Sequence, residues 1–304
     1  MKDTPRFWKK KVIETLLHTR NQTKTAEMLR LTFSIVHRIM QIAVVRGMER
    51  REVTGVKHIS IDEKAIAKGH HYATIVMDAD KNIILAITEE RTKESCKQAL
   101  DMTFNDEQKK EIETASTDMW DAYANTCKEE LANAKVCYDK FHLIKYLNQA
   151  VDQVRRQEAK TQEELKNTKY IWLKDKINLT EKQRITFEAI NETNYQTAKA
   201  YRIKENFRAI AFGNTFANPL QLFGNWYRDA INSQLQPIIK VAQMFYSHTQ
   251  GILNAITTGK NNARMERMNG NLQMIKVIGR GYSSFIGFAM AAYFFFGGLD
   301  LSTR

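Results

Sequence analysis

A chain of 304 residues with 43% hydrophobic and 26% charged residues has the composition of a folded globular protein, which excludes a disordered or fibrous polypeptide. Its three cysteines, Cys96, Cys127 and Cys137, form no CxxC pair and suggest neither a disulfide framework nor a zinc cage, in keeping with a reducing cytoplasm. The formal charge of +12 is uneven: residues 1–57 carry 13 Lys/Arg against 5 Asp/Glu, residues 58–150 carry 12 against 17, and residues 151–304 carry 21 against 12.

Met1 to Lys11 is polar and basic, with no apolar run behind it and so no signal pattern. Phe7, Val12, Ile13, Leu16 and Leu17 are spaced for one apolar helical face. Ala26, Met28 and Leu29 then predict a short inward-facing helix. A turn follows near Leu31 to Phe33, and Thr32 or Ser34 caps a further helix with Val36, Ile39 and Met40 inward. This is helix-turn-helix spacing, and it makes residues 1–54 a small DNA-binding domain that offers Arg30, His37 and Arg38 to a groove or to phosphates. A plain helical hairpin has the same pattern.

From Val56 the period becomes alternating. Strands are expected over His58 to Asp62, His71 to Met77 and Ile83 to Thr88, with the turn-rich Asp78 to Asn82 between the last two. A helix over Lys93 to Phe104, a strand over Ile112 to Thr117, a helix over Met119 to Leu131, a strand over Lys135 to Tyr138 and a long helix from Phe141 complete the series. The order β-β-β-α-β-α-β-α is that of ribonuclease-H-like domains, and it predicts an α/β fold with a mixed five-stranded sheet covered on both faces. Residues 151–255 carry only helical patterns and read as an all-α insertion in a core made of residues 55–150 and 256–304. A helix over Ala263 to Ile275 carries Glu266. The apolar Phe285 to Leu299 is too short for a bilayer and reads as a buried last helix.

Asp62 ends the first expected strand and Asp118 follows the fourth, and in the expected topology these strands are neighbours. Glu266 starts a helix able to cross the same edge. Three carboxylates meeting there are the hard oxygen donors that a pair of divalent cations about 3.5–4 Å apart requires. An acidic centre between basic flanks suits phosphodiester chemistry, although solvated charge with no partner accounts for the charge alone. Each residue also has a plainer reading: Asp62 as a turn former, Asp118 as a helix cap, Glu266 as an exposed ion-pair residue beside Arg264 and Arg267.

Four strings carry a resemblance. His-Ile-Ser-Ile-Asp-Glu-Lys at 58–64, Ser-Thr-Asp-Met-Trp-Asp-Ala-Tyr at 116–123, Tyr-Asp-Lys-Phe-His-Leu-Ile-Lys at 138–145, and Asn-Ala-Arg-Met-Glu-Arg-Met-Asn-Gly-Asn-Leu at 262–272 with Gly-Arg-Gly-Tyr at 279–282 resemble the blocks of DDE transposases of the ISL-three insertion-sequence family. The resemblance implies a metal-dependent transposase whose Asp62, Asp118 and Glu266 bind two Mg²⁺, with Mn²⁺ able to substitute. It implies cleavage of element ends by activated water and attack of the freed 3′-OH on target DNA. It also implies a cysteine-rich zinc ribbon ahead of the part represented here, DNA as partner, a homodimer or larger assembly, and a cytoplasmic, nucleoid-associated site of action without membrane contact. Arg264, Arg267, Lys276 and Arg280 are the expected phosphate contacts around the fourth string.

Two alternatives stand beside this reading: a DNA-binding regulator descended from a transposase, and a different ribonuclease-H-like nuclease such as a junction resolvase. Asp139 and His142 tune the site or contact DNA, or Asp139 simply caps the next helix. Glu63 should face away from Asp62. Trp120 and Trp226 read as packing residues, with stacking on a DNA base as the alternative for Trp226.

Overall fold

The computed structural model describes residues 5–67, 71–174, 176–191, 195–213, 218–259, 263–279, 282 and 284–303. It divides into two compact units, Met1–Lys135 with Asn262–Arg304, and Val136–Asn261. In the first unit the chain opens with three helices, α1 (Arg6–Thr19), α2 (Gln22–Leu29) and α3 (Phe33–Arg50). Asn21 accepts from Lys24 N at 2.9 Å and caps α2; Thr32 accepts from Ile35 N at 3.4 Å and caps α3. Arg30 ends α2 in the left-handed region with φ 52°, and the two axes turn by 116° across the break. Val12, Ile13 and Leu16 are buried as the spacing predicts, whereas Phe7, Leu17 and Met28 stand exposed at the margins of their helices.

Strands β1 (His58–Ala67), β2 (His71–Asp78) and β3 (Ile83–Glu89) follow, then α4 (Lys93–Thr103), α5 (Asp106–Glu111), β4 (Thr114–Thr117), α6 (Asp121–Glu130) and β5 (Lys135–Tyr138). The five strands form a mixed sheet in the order β3-β2-β1-β4-β5, antiparallel for β1–β2 and β2–β3 and parallel for β1–β4. Asp78 Oδ1 accepts from Asp80 N and Lys81 N, both at 2.8 Å, and this Asx turn closes the β2–β3 hairpin. β1 runs five residues past Asp62, because Glu63 and Lys64 continue the antiparallel pairing opposite Thr74 and Ala73.

Alternation along the strands sends side chains to opposite faces. Ile66, Ala73, Ile75 and Met77 share one apolar cluster with Met265, Met268, Leu272 and Ile275 of α14 (Ala263–Ile278), with α15 (Phe285–Phe296), and with the inner faces of α1 and α3. On the other face Thr74 Oγ1 meets Tyr123 Oη of α6 at 2.8 Å, and Glu63 lies 3.5 Å from Arg91. Burial pushes the Tyr123 phenol far above its ordinary range, so its hydroxyl serves as a neutral hydrogen-bonding group. The last apolar segment is a buried helix, and no single helix among the described residues is long and apolar enough to cross a membrane.

The second unit is helical apart from the end of β5. It comprises α7 (Lys140–Glu158), α8 (Lys169–Leu173), α9 (Glu181–Asn191), α10 (Gln196–Phe212), α11 (Pro219–Ile231), α12 (Gln236–Ser247) and α13 (Thr249–Thr258). Its centre is aromatic: Trp226 packs with Phe207, Phe223 and Phe245 at centroid distances of 4.8, 5.7 and 5.7 Å. The fully buried Lys204 donates to Trp172 O at 2.8 Å, and its ammonium sits 4.3 Å from the centroid of the Tyr201 ring.

Gly251 is buried against Tyr138, and a Cβ there would fall 2.3 Å from Tyr138 Cε2. Gly251→Ala is therefore expected to destabilise the protein by about 1–3 kcal/mol through overpacking. Gly224→Ala, on α11 with nothing within 4 Å, should instead gain up to about 1 kcal/mol of helix propensity. Urea melts compare the two, and equal midpoints would refute the close Tyr138 contact.

Candidate functional site

The parallel pairing of β1 with β4 joins His58 to Thr114, Ile59 to Ala115 and Ser60 to Ser116. Continued two residues, the same offset sets Asp118 opposite Asp62, and neighbouring strands lie about 4.8 Å apart. Asp62 is 6% exposed. Its Oδ1 accepts from Glu63 N at 2.8 Å, and its Oδ2 accepts from Asn269 Nδ2 at 2.7 Å. Asp118 lies just past β4, half-buried, and its Oδ1 accepts from Trp120 N at 3.1 Å. That is a local turn and not a helix cap, since α6 begins after Trp120.

Asn269 brings α14 to this edge, and sequence reasoning passed it over. Its chain carbonyl accepts from Lys64 Nζ at 3.0 Å, and Lys276 Nζ donates to Ala65 O at 3.2 Å, so α14 is laced to β1 at two heights. Because a carboxylate only accepts, the amide nitrogen must be the group that faces Asp62. The other amide atom, Oδ1, is then buried with no hydrogen-bond partner among the described residues. The one signal available in the sequence is spacing: Asn269 is three residues from Glu266, on the same side of a helix. Burial and the neighbouring Lys276 lower the Lys64 ammonium below its ordinary range, while Asp62 pulls it the other way.

Glu266 is exposed on the first turn of α14. Among the described residues no three Asp, Glu, His or Cys side chains are grouped closely enough to hold a metal ion. The recorded β1–β4 pairing ends at Ser60 and Ser116, two residues short of both acids, and α14 is tied to Asp62 through Asn269, one turn from Glu266. The donors at this edge are carboxylate and amide oxygens, a set that fits Mg²⁺ or Mn²⁺ and not a soft metal.

The other residues singled out in the sequence are scattered. Arg264 Nη1 donates to Ala79 O and Asp80 O, clasping the β2–β3 turn, while Arg267 is exposed. Arg280 lies outside the described residues. On the N-terminal helices Arg30 and Arg38 are exposed, and His37 bonds Gln22 Oε1 at 2.9 Å and stacks on Phe33. Asp139 caps α7 through Phe141 N and holds His142 Nδ1 at 2.7 Å. Trp226 is buried in the core of the second unit, which removes it as an exposed stacking surface. Trp120 is the reverse case: it is 42% exposed, with the Arg91 guanidinium 5.2 Å from its ring centroid.

Residues 59–292, well over half of the chain, match the ISL-three model of DDE transposases, described simply as "Transposase". The chain belongs to this transposase family. It is 23% identical over 275 residues to the transposase for insertion sequence element IS1001 of Bordetella parapertussis, an alignment covering 88% of this chain and 68% of that protein. It is also 23% identical over 294 residues to the transposase for insertion sequence element IS1557 of Mycobacterium tuberculosis, covering 87% and 66%. The chain therefore spans about two thirds of the length of these transposases. Asp62, Asp118, Glu266 and Asn269 all fall inside the family match, whereas α1 to α3 precede it.

Proposed function

We propose that the chain is a DNA transposase that cuts the ends of its element and transfers the freed 3′-OH to target DNA, with Asp62, Asp118 and Glu266 as its metal-binding acids. The observation that supports this reading is the parallel β1–β4 pairing through Ser60 and Ser116, whose continuation by two residues would set Asp118 opposite Asp62. Divalent cations held there, Mg²⁺ or Mn²⁺, supply charge stabilisation to the attacking and leaving oxygens of an in-line displacement. Asp62 and Asp118 contribute oxygen donors from two adjacent strands, and Glu266 contributes a third from α14. Asn269 holds the Asp62 carboxylate in one orientation, so that less ordering is left for the moment when substrate arrives.

Arg264, Arg267, Lys276 and Arg280 are the cations that would contact the phosphate backbone. Arg30 in the turn between α2 and α3, with His37 and Arg38 on α3, would make a helix-turn-helix contact with DNA. Two element ends have to be processed together, which calls for a dimer or a larger assembly on DNA.

The direct test incubates the protein and Mg²⁺ or Mn²⁺ with labelled duplexes carrying candidate element ends. Nicked and joined products are expected. Binding without any cutting would make the chain a regulator, and cutting of branched DNA without joining would make it a nuclease. Asn269→Ala is expected to lower Mn²⁺ affinity about 10–100-fold, the usual consequence of losing a group that orients a metal ligand. A Mn²⁺ titration reads this directly, and an unchanged affinity would remove Asn269 from the site.

A further inference from the structure

The second unit contains a cleft of about 1140 Å³ that no step above uses. One wall is a stripe on α7, where Phe141, Lys145, Asn148, Asp152 and Arg156 recur at helical spacing. Leu143, Leu147, Val151 and Val154 occupy the buried side of the same helix, so the apolar core is already served, and Phe141, Lys145 and Arg156 of the stripe stand exposed. Lys169 of α8 and Arg208 and Phe212 of α10 line the remaining walls.

Four cations line this cleft against one carboxylate, Asp152. That carboxylate is already occupied: Oδ1 accepts from Arg155 at 2.8 Å and Oδ2 from Arg156 at 2.8 Å. Lys145 has no anionic partner among the described residues. Within this charged lining stand two partly exposed phenyl rings, with the Lys140 ammonium 5.8 Å from the centroid of Phe212. Phe141 and Phe212 are each 41% exposed, with centroids 5.4 Å apart and planes tilted by 58°. Asn148 adds an amide oxygen buried without a hydrogen-bond partner among the described residues.

We propose that this cleft binds a single strand of DNA, its phosphates on Lys145, Arg156, Lys169 and Arg208 and its bases on Phe141 and Phe212. A small anion is a poorer fit. Lys145 and Arg156 are eleven residues apart on one helix, roughly 16 Å at 1.5 Å per residue, so they address different phosphates. Cations that track a backbone, combined with exposed rings for successive bases, are the recognised means of holding an unpaired strand, whose bases alone are free to stack on side chains.

The test is fluorescence anisotropy of the full chain with a labelled twelve-nucleotide oligo(dT), in EDTA so that the metal site is silent. A salt series and a duplex of equal length are run beside it. In the double variant Lys145→Gln/Lys169→Gln, affinity for the oligonucleotide should fall at least about tenfold, and the log–log salt slope should shrink by about 1.4, at about 0.7 for each phosphate no longer neutralised. Phe212→Ala should weaken single-strand binding by about tenfold and leave duplex binding unchanged, while Phe212→Tyr, which keeps the ring, should bind as the parent does. All three positions are at least partly exposed, and thermal melts confirm that each variant folds. An unchanged affinity and slope in the lysine variant overturns the proposal. So does an equal loss for duplex and single strand in Phe212→Ala. Because no metal is present, either result leaves the nicking experiment for Asp62, Asp118 and Glu266 to stand or fall separately.

Discussion

Asp62→Asn is expected to abolish nicking and strand joining, by about a thousandfold or more, while metal-free DNA affinity stays within about twofold of the parent. The size follows from losing several kcal/mol of charge stabilisation at about 1.4 kcal/mol per factor of ten in rate. A fold effect accompanies it. Both Asp62 oxygens accept hydrogen bonds, one from Glu63 N and one from Asn269 Nδ2, so an amide at this position must turn its own NH₂ toward one of those donors. The mismatch costs about 1–3 kcal/mol of stability. Glu266→Gln separates the two effects, because Glu266 is exposed and its carboxylate can be neutralised without burying a polar group. The expected result is loss of activity with an unchanged melting midpoint. Retained nicking in Glu266→Gln, or in an Asp62→Asn protein that still melts cooperatively, would leave Asp62 as a structural anchor for α14 and end the catalytic assignment.

Trp226→Ala should cost about 3–5 kcal/mol. The side chain is 3% exposed, and its Nε1 donates to Ile203 O at 2.9 Å. It also supplies the ring around which Phe207, Phe223 and Phe245 pack. Native proteins have only about 5–15 kcal/mol in reserve, so the melting midpoint should drop by about 10 °C. Trp226→Phe keeps one aromatic ring in place, loses the indole hydrogen bond and part of the ring volume, and should cost less, about 2–3 kcal/mol. Urea melts followed by far-ultraviolet circular dichroism check both values. A truncation that shifts stability by under about 1 kcal/mol would contradict the buried position and return Trp226 to the surface as a candidate for base stacking.

The order of strands and helices was legible because it is written in local periods. Alternation between Val56 and Thr88 marks a meander, and the change to helical spacing after Tyr138 marks the end of the sheet. The same alternation correctly turned Glu63 away from Asp62, where it meets Arg91. Ends of elements were less legible. β1 continues through Glu63 and Lys64, two charged residues that read as a strand terminus. Their polar groups find partners in Arg91 and in the carbonyl of Asn269, neither of which local sequence supplies. α5 has too few apolar residues to show a face, and its one local mark was the capping box of Asn105 and Gln108.

At the candidate site, chemistry was legible and assembly was not. Residue type and strand position nominated Asp62 and Asp118, and the resemblance of the strings around them favoured metal binding over the plainer turn and cap readings. Asn269 was invisible because its bond to Asp62 spans 207 residues and arises only when α14 buries Met265, Met268, Leu272 and Ile275 on the sheet. Trp120 and Trp226 make the same point in opposite directions: two tryptophans of equal hydrophobicity end up one exposed and one in the core. By itself the sequence determined which segments are strands and helices, which faces are apolar and where the acids lie along the chain, because these follow from backbone geometry and nearest neighbours. Which buried polar atoms find partners, which aromatic rings stay uncovered and how α14 meets β1 were decided only in the tertiary structure, because those outcomes depend on burying surfaces that are distant in the chain.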